Sequence, residues 1–176
     1  EGEDSPAPED AVIVDLNLDG YPDVVAAAEL SHLIYLQNPG SNARQAEWPR
    51  LILPMTEGRG SYIRVFAGDF DGDGVAELTA PNKGAQRPGP SDYARSTPIE
   101  LFSLDGDPLQ GGSWTRTELG NYSIPQNAEP VDLDNDGDLD IVIGSRGENR
   151  LAFYENLGPG NLDFQEHAIG INGARM

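Results

Sequence analysis

Apolar residues along this chain come in short runs, such as "VVAAAEL" (24–30), "ELTAP" (77–81) and "DIVIG" (140–144). Gly, Asn, Asp and Pro separate them, and no segment carries a convincing 3.6-residue period. Short runs rich in Val, Ile, Leu, Phe and Tyr between turn residues predict strands. The 21 glycines and 14 prolines favour many turns and disfavour long helices. The expected class is all-β.

The strand pattern repeats. "VDLNLDGYPDVVAAAE" from Val14, "AGDFDGDGVAELTAP" from Ala67 and "VDLDNDGDLDIVIG" from Val131 align on Asp15, Asp69 and Asp132, which lie 54 (69 − 15) and 63 (132 − 69) residues apart. The second position of each loop is apolar: Leu16, Phe70 and Leu133. Each is expected to anchor the loop in the core. A strand run follows every loop. Then comes a second run ("LIYLQNPG", "IELFSLDGD", "LAFYENLGPG") and a third ("WPRLIL", "WTRTELG", "DFQEHAIG"). Each unit therefore reads as four antiparallel strands with an acidic loop after the first, the pattern of a β-propeller blade. Expected boundaries are 11–57, 58–120 and 121–176, after a flexible acidic lead over 1–10.

On "DLNLDGYPD", "DFDGDGVAE" and "DLDNDGDLD" the chain resembles the FG-GAP/VCBS repeat family, found in integrin α-subunit propellers and in many secreted microbial proteins. The resemblance implies calcium-binding propeller blades and leaves the activity open. Closed propellers have four to eight blades. Three units, with "INGARM" reading as the lead-in to another, suggest part of a propeller of about seven blades. Further blades or other chains would complete it.

Each loop follows D-x-[DN]-x-D-G-x-x-[DE]. Positions 1, 3 and 5 can aim side-chain oxygens at one centre, while glycine at 6 permits the sharp turn. Position 7 can offer a carbonyl, and an acid at 9 closes the cage. Calcium takes six to eight oxygens in flexible geometry, which such a loop and one or two waters supply. The start resembles an EF-hand loop, but the closing acid arrives at 9 and β-residues follow. The candidate ligands of site one are Asp15, Asn17, Asp19, Tyr21 (carbonyl) and Asp23. Site two has Asp69, Asp71, Asp73, Val75 (carbonyl) and Glu77, and site three has Asp132, Asp134, Asp136, Asp138 (carbonyl) and Asp140. Asn17 lowers the charge of site one. Magnesium is the alternative ion, and plain Asp-Gly turns without an ion are the alternative structure. "SLDGDP" around Asp105–Asp107 lacks the rest of the pattern and reads as an ordinary turn.

Composition narrows the partners. The formal net charge is −19, and three divalent ions would bring it to −13 (−19 + 3 × 2). Duplex nucleic acid and anionic membrane are disfavoured, because both need cationic surface. No run is long enough to span a membrane as a helix. The absence of cysteine excludes disulfides and thiolate zinc sites. Loops of this kind suit millimolar calcium, hence a secreted, periplasmic or cell-surface setting.

In a blade, the loops after the first and third strands share one face, and the remaining connections share the other. That opposite face is expected to hold 29–32, 82–97 and 145–150, with the links 54–62 and 120–130. These carry Arg59, Lys83, Arg87, Arg95, Arg146 and Arg150. Arg175 makes seven of the eleven basic residues. Arginines there suit carboxylate, sulfate or phosphate groups, or pair with nearby acids. The candidate ligand residues are His32, Arg59, Lys83, Arg87, Tyr93, Arg146 and Arg150, with Tyr62 and Tyr122 nearby. His167, in an expected outer strand, is set aside. The leading expectation is an extracellular calcium-stabilised module recognising an anionic glycan or protein. The alternatives are the propeller part of a polysaccharide lyase or sugar dehydratase, with His32 or Tyr93 as base, and a self-assembling surface subunit. No Ser-His-Asp set, phosphate loop or HExxH supports catalysis, so enzyme status stays open.

Overall fold

A computed structural model describes residues 7–169. Twelve strands form three four-stranded antiparallel sheets, each ordered as the chain runs. The first sheet is β1 (Pro8–Val14), β2 (Asp23–Ala28), β3 (Leu33–Leu36) and β4 (Arg50–Ile52). The second is β5 (Phe66–Gly68), β6 (Glu77–Pro81), β7 (Thr97–Leu104) and β8 (Trp114–Tyr122). The third is β9 (Pro125–Val131), β10 (Asp140–Ser145), β11 (Arg150–Asn156) and β12 (Phe164–Ile169). Three short 3-10 turns are the only other regular elements described, and none of the described helices is long and apolar enough to cross a membrane. The all-β class and the three blade-like units are as expected.

Two cores hold the sheets in a row. Val25, Ala27, Leu33 and Tyr35 of the first meet Leu78, Phe102 and Trp114 of the second, with Val65 just ahead of β5. Ile99 and Leu101 of the second meet Ala128, Ile141, Ile143 and Tyr154 of the third. The middle sheet is therefore covered on both faces. This is why β6 is buried at every position and shows no alternation. Polar bonds cross the second boundary too: Thr79 Oγ1 donates to the Ala128 carbonyl at 2.6 Å, and the Tyr122 and Tyr154 hydroxyls pair at 2.8 Å.

The second position of the first two loops reaches forward. Leu16 packs in the core shared with the second sheet. Phe70 packs in the core shared with the third, its ring edge-on to Phe164 at 5.9 Å. Both are 2% exposed. Leu133 holds the same place in the third loop but is 44% exposed. The expected core role fails there because, among the described residues, no following sheet covers it.

Three boundaries differ from expectation. Strand β1 begins at Pro8, inside the stretch expected as a flexible lead, and Pro8 pairs with Ala28. Strand β8 runs to Tyr122, past the expected blade end at 120. The expected link over 120–130 is mostly strand, with only Ser123 and Ile124 between β8 and β9. Its Gly, Asn and Pro content reads as loop. However, β9 pairs only with β10, so Pro125 and Pro130 sit on an edge strand, where a missing N–H is tolerated. "INGARM" and Arg175 lie outside the described residues.

Candidate metal centres and the opposite face

The three acidic loops connect β1–β2, β5–β6 and β9–β10. A common hydrogen-bond frame builds them. The position-5 N–H donates to the position-3 side chain: Asp19 to Asn17 Oδ1 (3.1 Å), Asp73 to Asp71 Oδ1 (3.1 Å) and Asp136 to Asp134 Oδ1 (3.2 Å). The position-7 N–H donates to the position-5 carboxylate: Tyr21 to Asp19 (2.9 Å), Val75 to Asp73 (2.7 Å) and Asp138 to Asp136 (3.0 Å). These Asx turns curl each loop around its own carboxylates. Gly20, Gly74 and Gly137 at position 6 have φ of 87°, 92° and 104°, as the turn requires.

Position 9 carries a second duty. Asp23, Glu77 and Asp140 are buried, at 0%, 3% and 1% exposure. Each accepts the position-2 N–H, from Leu16 (3.3 Å), Phe70 (2.9 Å) and Leu133 (3.0 Å). Asp23 also accepts from the Tyr35 hydroxyl (2.7 Å) and the Asn38 N–H (2.7 Å), and Asp140 from the Asn156 N–H (2.9 Å). Burial, and then the bond to Asp23, push the Tyr35 phenol well above its ordinary range. Glu77 has no counterpart of Asn38 or Asn156 in these contacts. Burial pushes its carboxyl up to about 7, the Phe70 N–H opposes that, and the charges of Asp71, Asp73 and Asp69 add to it.

Oxygens of Asp69, Asp71 and Glu77 lie within 4.8 Å of one another, and so do those of Asp132, Asp134 and Asp136. Two ligands of one calcium ion, each about 2.4 Å from it, stand at most about 4.8 Å apart. The all-oxygen donor sets of loops two and three therefore fit a hard divalent cation. In loop one the corresponding acidic triplet is broken by Asn17, whose Nδ2 donates to Asp19 Oδ2 at 3.0 Å.

Sequence reasoning missed Asn38 and Asn156. Asn156 Nδ2 donates to the carbonyls of Phe70 (2.7 Å) and Leu139 (3.3 Å), tying the third loop to the second. Asn38 Nδ2 donates to the Pro22 carbonyl at 2.9 Å. The signal was present as Asn-x-Gly after the third strand ("NPG", "NLG"). The glycine N–H closes on the Asn side chain in both, from Gly40 (2.9 Å) and Gly158 (3.3 Å).

On the opposite face most of the expected cations have acidic partners. Lys83 Nζ lies 2.8 Å from Glu29, and this contact holds the Glu29 carboxyl below its usual range. Arg59 lies 3.7 Å from Glu100 and 3.6 Å from Glu118, and Arg116 bonds the same two acids at 2.6 and 2.7 Å. Glu100 is fully buried and also accepts from the Tyr62 hydroxyl at 2.6 Å. Arg150 pairs with Glu166 and Glu148 and lies over the Tyr122 ring. Arg95 stands 3.9 Å from Asp92. Among the described residues the exposed Arg87 and Arg146 form no ion pair, and Tyr93 is 42% exposed. His32 is buried, with Nδ1 2.6 Å from Ser31 Oγ. His167 bonds Glu155 and stacks on Phe153.

Residues 15–80 match the model of the FG-GAP-like repeat. The matched stretch begins on the first ligand candidate of loop one and takes in all of loop two. No curated protein matches the chain.

Proposed function

We propose that this FG-GAP-like repeat chain is a calcium-binding β-propeller module of the extracellular space, with calcium in a structural role. The observation that carries the reading is the convergence of acidic oxygens within 4.8 Å in loops two and three, on a hydrogen-bond frame that loop one shares. Asp69, Asp71, Asp73 and Glu77 would hold one ion, and Asp132, Asp134, Asp136 and Asp140 another. Asp15, Asn17, Asp19 and Asp23 would hold the weakest. Carbonyls of Tyr21, Val75 and Asp138 complete the sets. The ion supplies positive charge where three or four carboxylates meet, which fixes loops that otherwise repel themselves.

Recognition of an anionic glycan or protein belongs to the opposite face in this reading, with Arg87, Arg146 and Tyr93 as contacts. Their exposure, and the lack of ion pairs at the two arginines among the described residues, support it. Arg59, Lys83 and Arg150 serve there as the braced frame. The uncovered Leu133 suits a further blade or another chain packed against the third sheet. A glycan array of sulfated and uronate-containing chains tests the recognition arm. Binding that falls at least tenfold in Arg87→Ala/Arg146→Ala supports it, and binding unchanged in that variant refutes it.

A further inference from the structure

We propose that a recess between the first two sheets, on the acidic-loop face, receives an arginine or lysine side chain presented by a partner protein. The recess has a volume of about 400 Å3, and its walls include Leu18, Leu104, Pro108, Gln37 and Asp107. It joins two features that the metal reading leaves unused.

The first is Leu18. It occupies position 4 of loop one with φ +56°, where the other loops place Gly72 (77°) and Asn135 (66°). Glycine and asparagine tolerate this left-handed conformation, and leucine does not favour it. Leu18 is also 61% exposed. Packing within the chain thus offsets neither the backbone strain nor the exposed apolar surface. A leucine here presents an apolar wall at the mouth of the recess.

The second is the turn at 105–107, which carries no metal pattern. Asp107 is exposed, and its carboxylate accepts a hydrogen bond from the Leu109 N–H at 2.9 Å. Among the described residues it forms no ion pair, unlike four of the opposite-face cations. The face stays negative even with both neighbouring loops loaded. Loop one has three acids and loop two has four, so two divalent ions leave −3 (−7 + 4), and Asp105 with Asp107 makes −5.

An apolar wall beside an uncompensated carboxylate is complementary to a long cationic side chain. The aliphatic stem lies on Leu18, Leu104 and Pro108, and the charged head reaches Asp107 and the Gln37 amide oxygen. An anionic group is repelled, and a purely apolar one leaves Asp107 unanswered.

The test uses N-acetyl-arginine amide as probe and N-acetyl-norleucine amide as control, followed by amide chemical shifts with and without calcium. Running both conditions separates this proposal from the calcium reading. The expected result is saturable shifts at residues 16–18, 37 and 104–109 with the arginine probe in both conditions. They should be at least fivefold weaker with the control and lost in Asp107→Asn. Leu18→Asn should raise Tm while weakening the probe severalfold, because it removes strain and wall together. The proposal is overturned if the arginine probe leaves those amides unmoved, if the control shifts them equally, if Asp107→Asn binds normally, or if Leu18→Asn lowers Tm.

Discussion

Asp23, Glu77 and Asp140 occupy one position in three loops, and burial pushes the Glu77 carboxyl up to about 7. The unfolded chain holds this proton up to about pH 4.5, and the folded chain up to about 7. Below both values the group contributes nothing. Between them the unfolded state alone has released its proton, so stability falls as pH rises, by at most about 3 kcal/mol, and is flat above. Urea unfolding of chelator-treated protein from pH 4.5 to 8 should show this loss, and Glu77→Gln should remove most of it. An equal slope in the variant would rule out Glu77 as the source. A second residue-scale contrast is Phe70 against Leu133. Phe70→Ala should cost about 3–5 kcal/mol, whereas Leu133→Ala should stay within about 0.5. Comparable losses would mean that Leu133 is covered. The two residues read alike in the sequence, because the pattern records that a loop wants an apolar second residue and not what lies beyond the last sheet.

At the scale of elements, the strands were legible because each sheet pairs neighbours in chain order, so every strand and its partner lie close in sequence. The loops were legible because three copies share one spacing. The second duty of position 9 was not, since Tyr35, Asn38 and Asn156 reach it from 12, 15 and 16 residues away. Nor were the opposite-face ion pairs, where Lys83 and Glu29 lie 54 residues apart. Asn156 is the most consequential of the unseen residues. Its buried side chain bonds the Phe70 and Leu139 carbonyls and caps Gly158. Asn156→Ala should cost about 2–3 kcal/mol by leaving buried carbonyls unanswered. Asn38→Ala, whose amide bond is exposed, should cost about 1 kcal/mol or less. Denaturant midpoints measure both, and equal losses would contradict the ordering.

At the scale of the molecule, a net charge of −19 makes self-repulsion a general term, strongest where the loops gather on one face. Monovalent salt should raise the Tm of the chelator-treated protein modestly by screening alone. A specific ion must do more than salt of equal ionic strength, and this separates a set of binding sites from a generally acidic surface. The most direct measurement is a calorimetric calcium titration of chelator-stripped protein at fixed ionic strength, with Tm followed in parallel. The expected result is saturable binding of three calcium ions, the last the weakest, and a rise in Tm beyond that of matched sodium chloride. Asp69→Ala and Asp132→Ala should each remove one ion. Absence of saturable heat, with a Tm response no greater than the salt control, would contradict it.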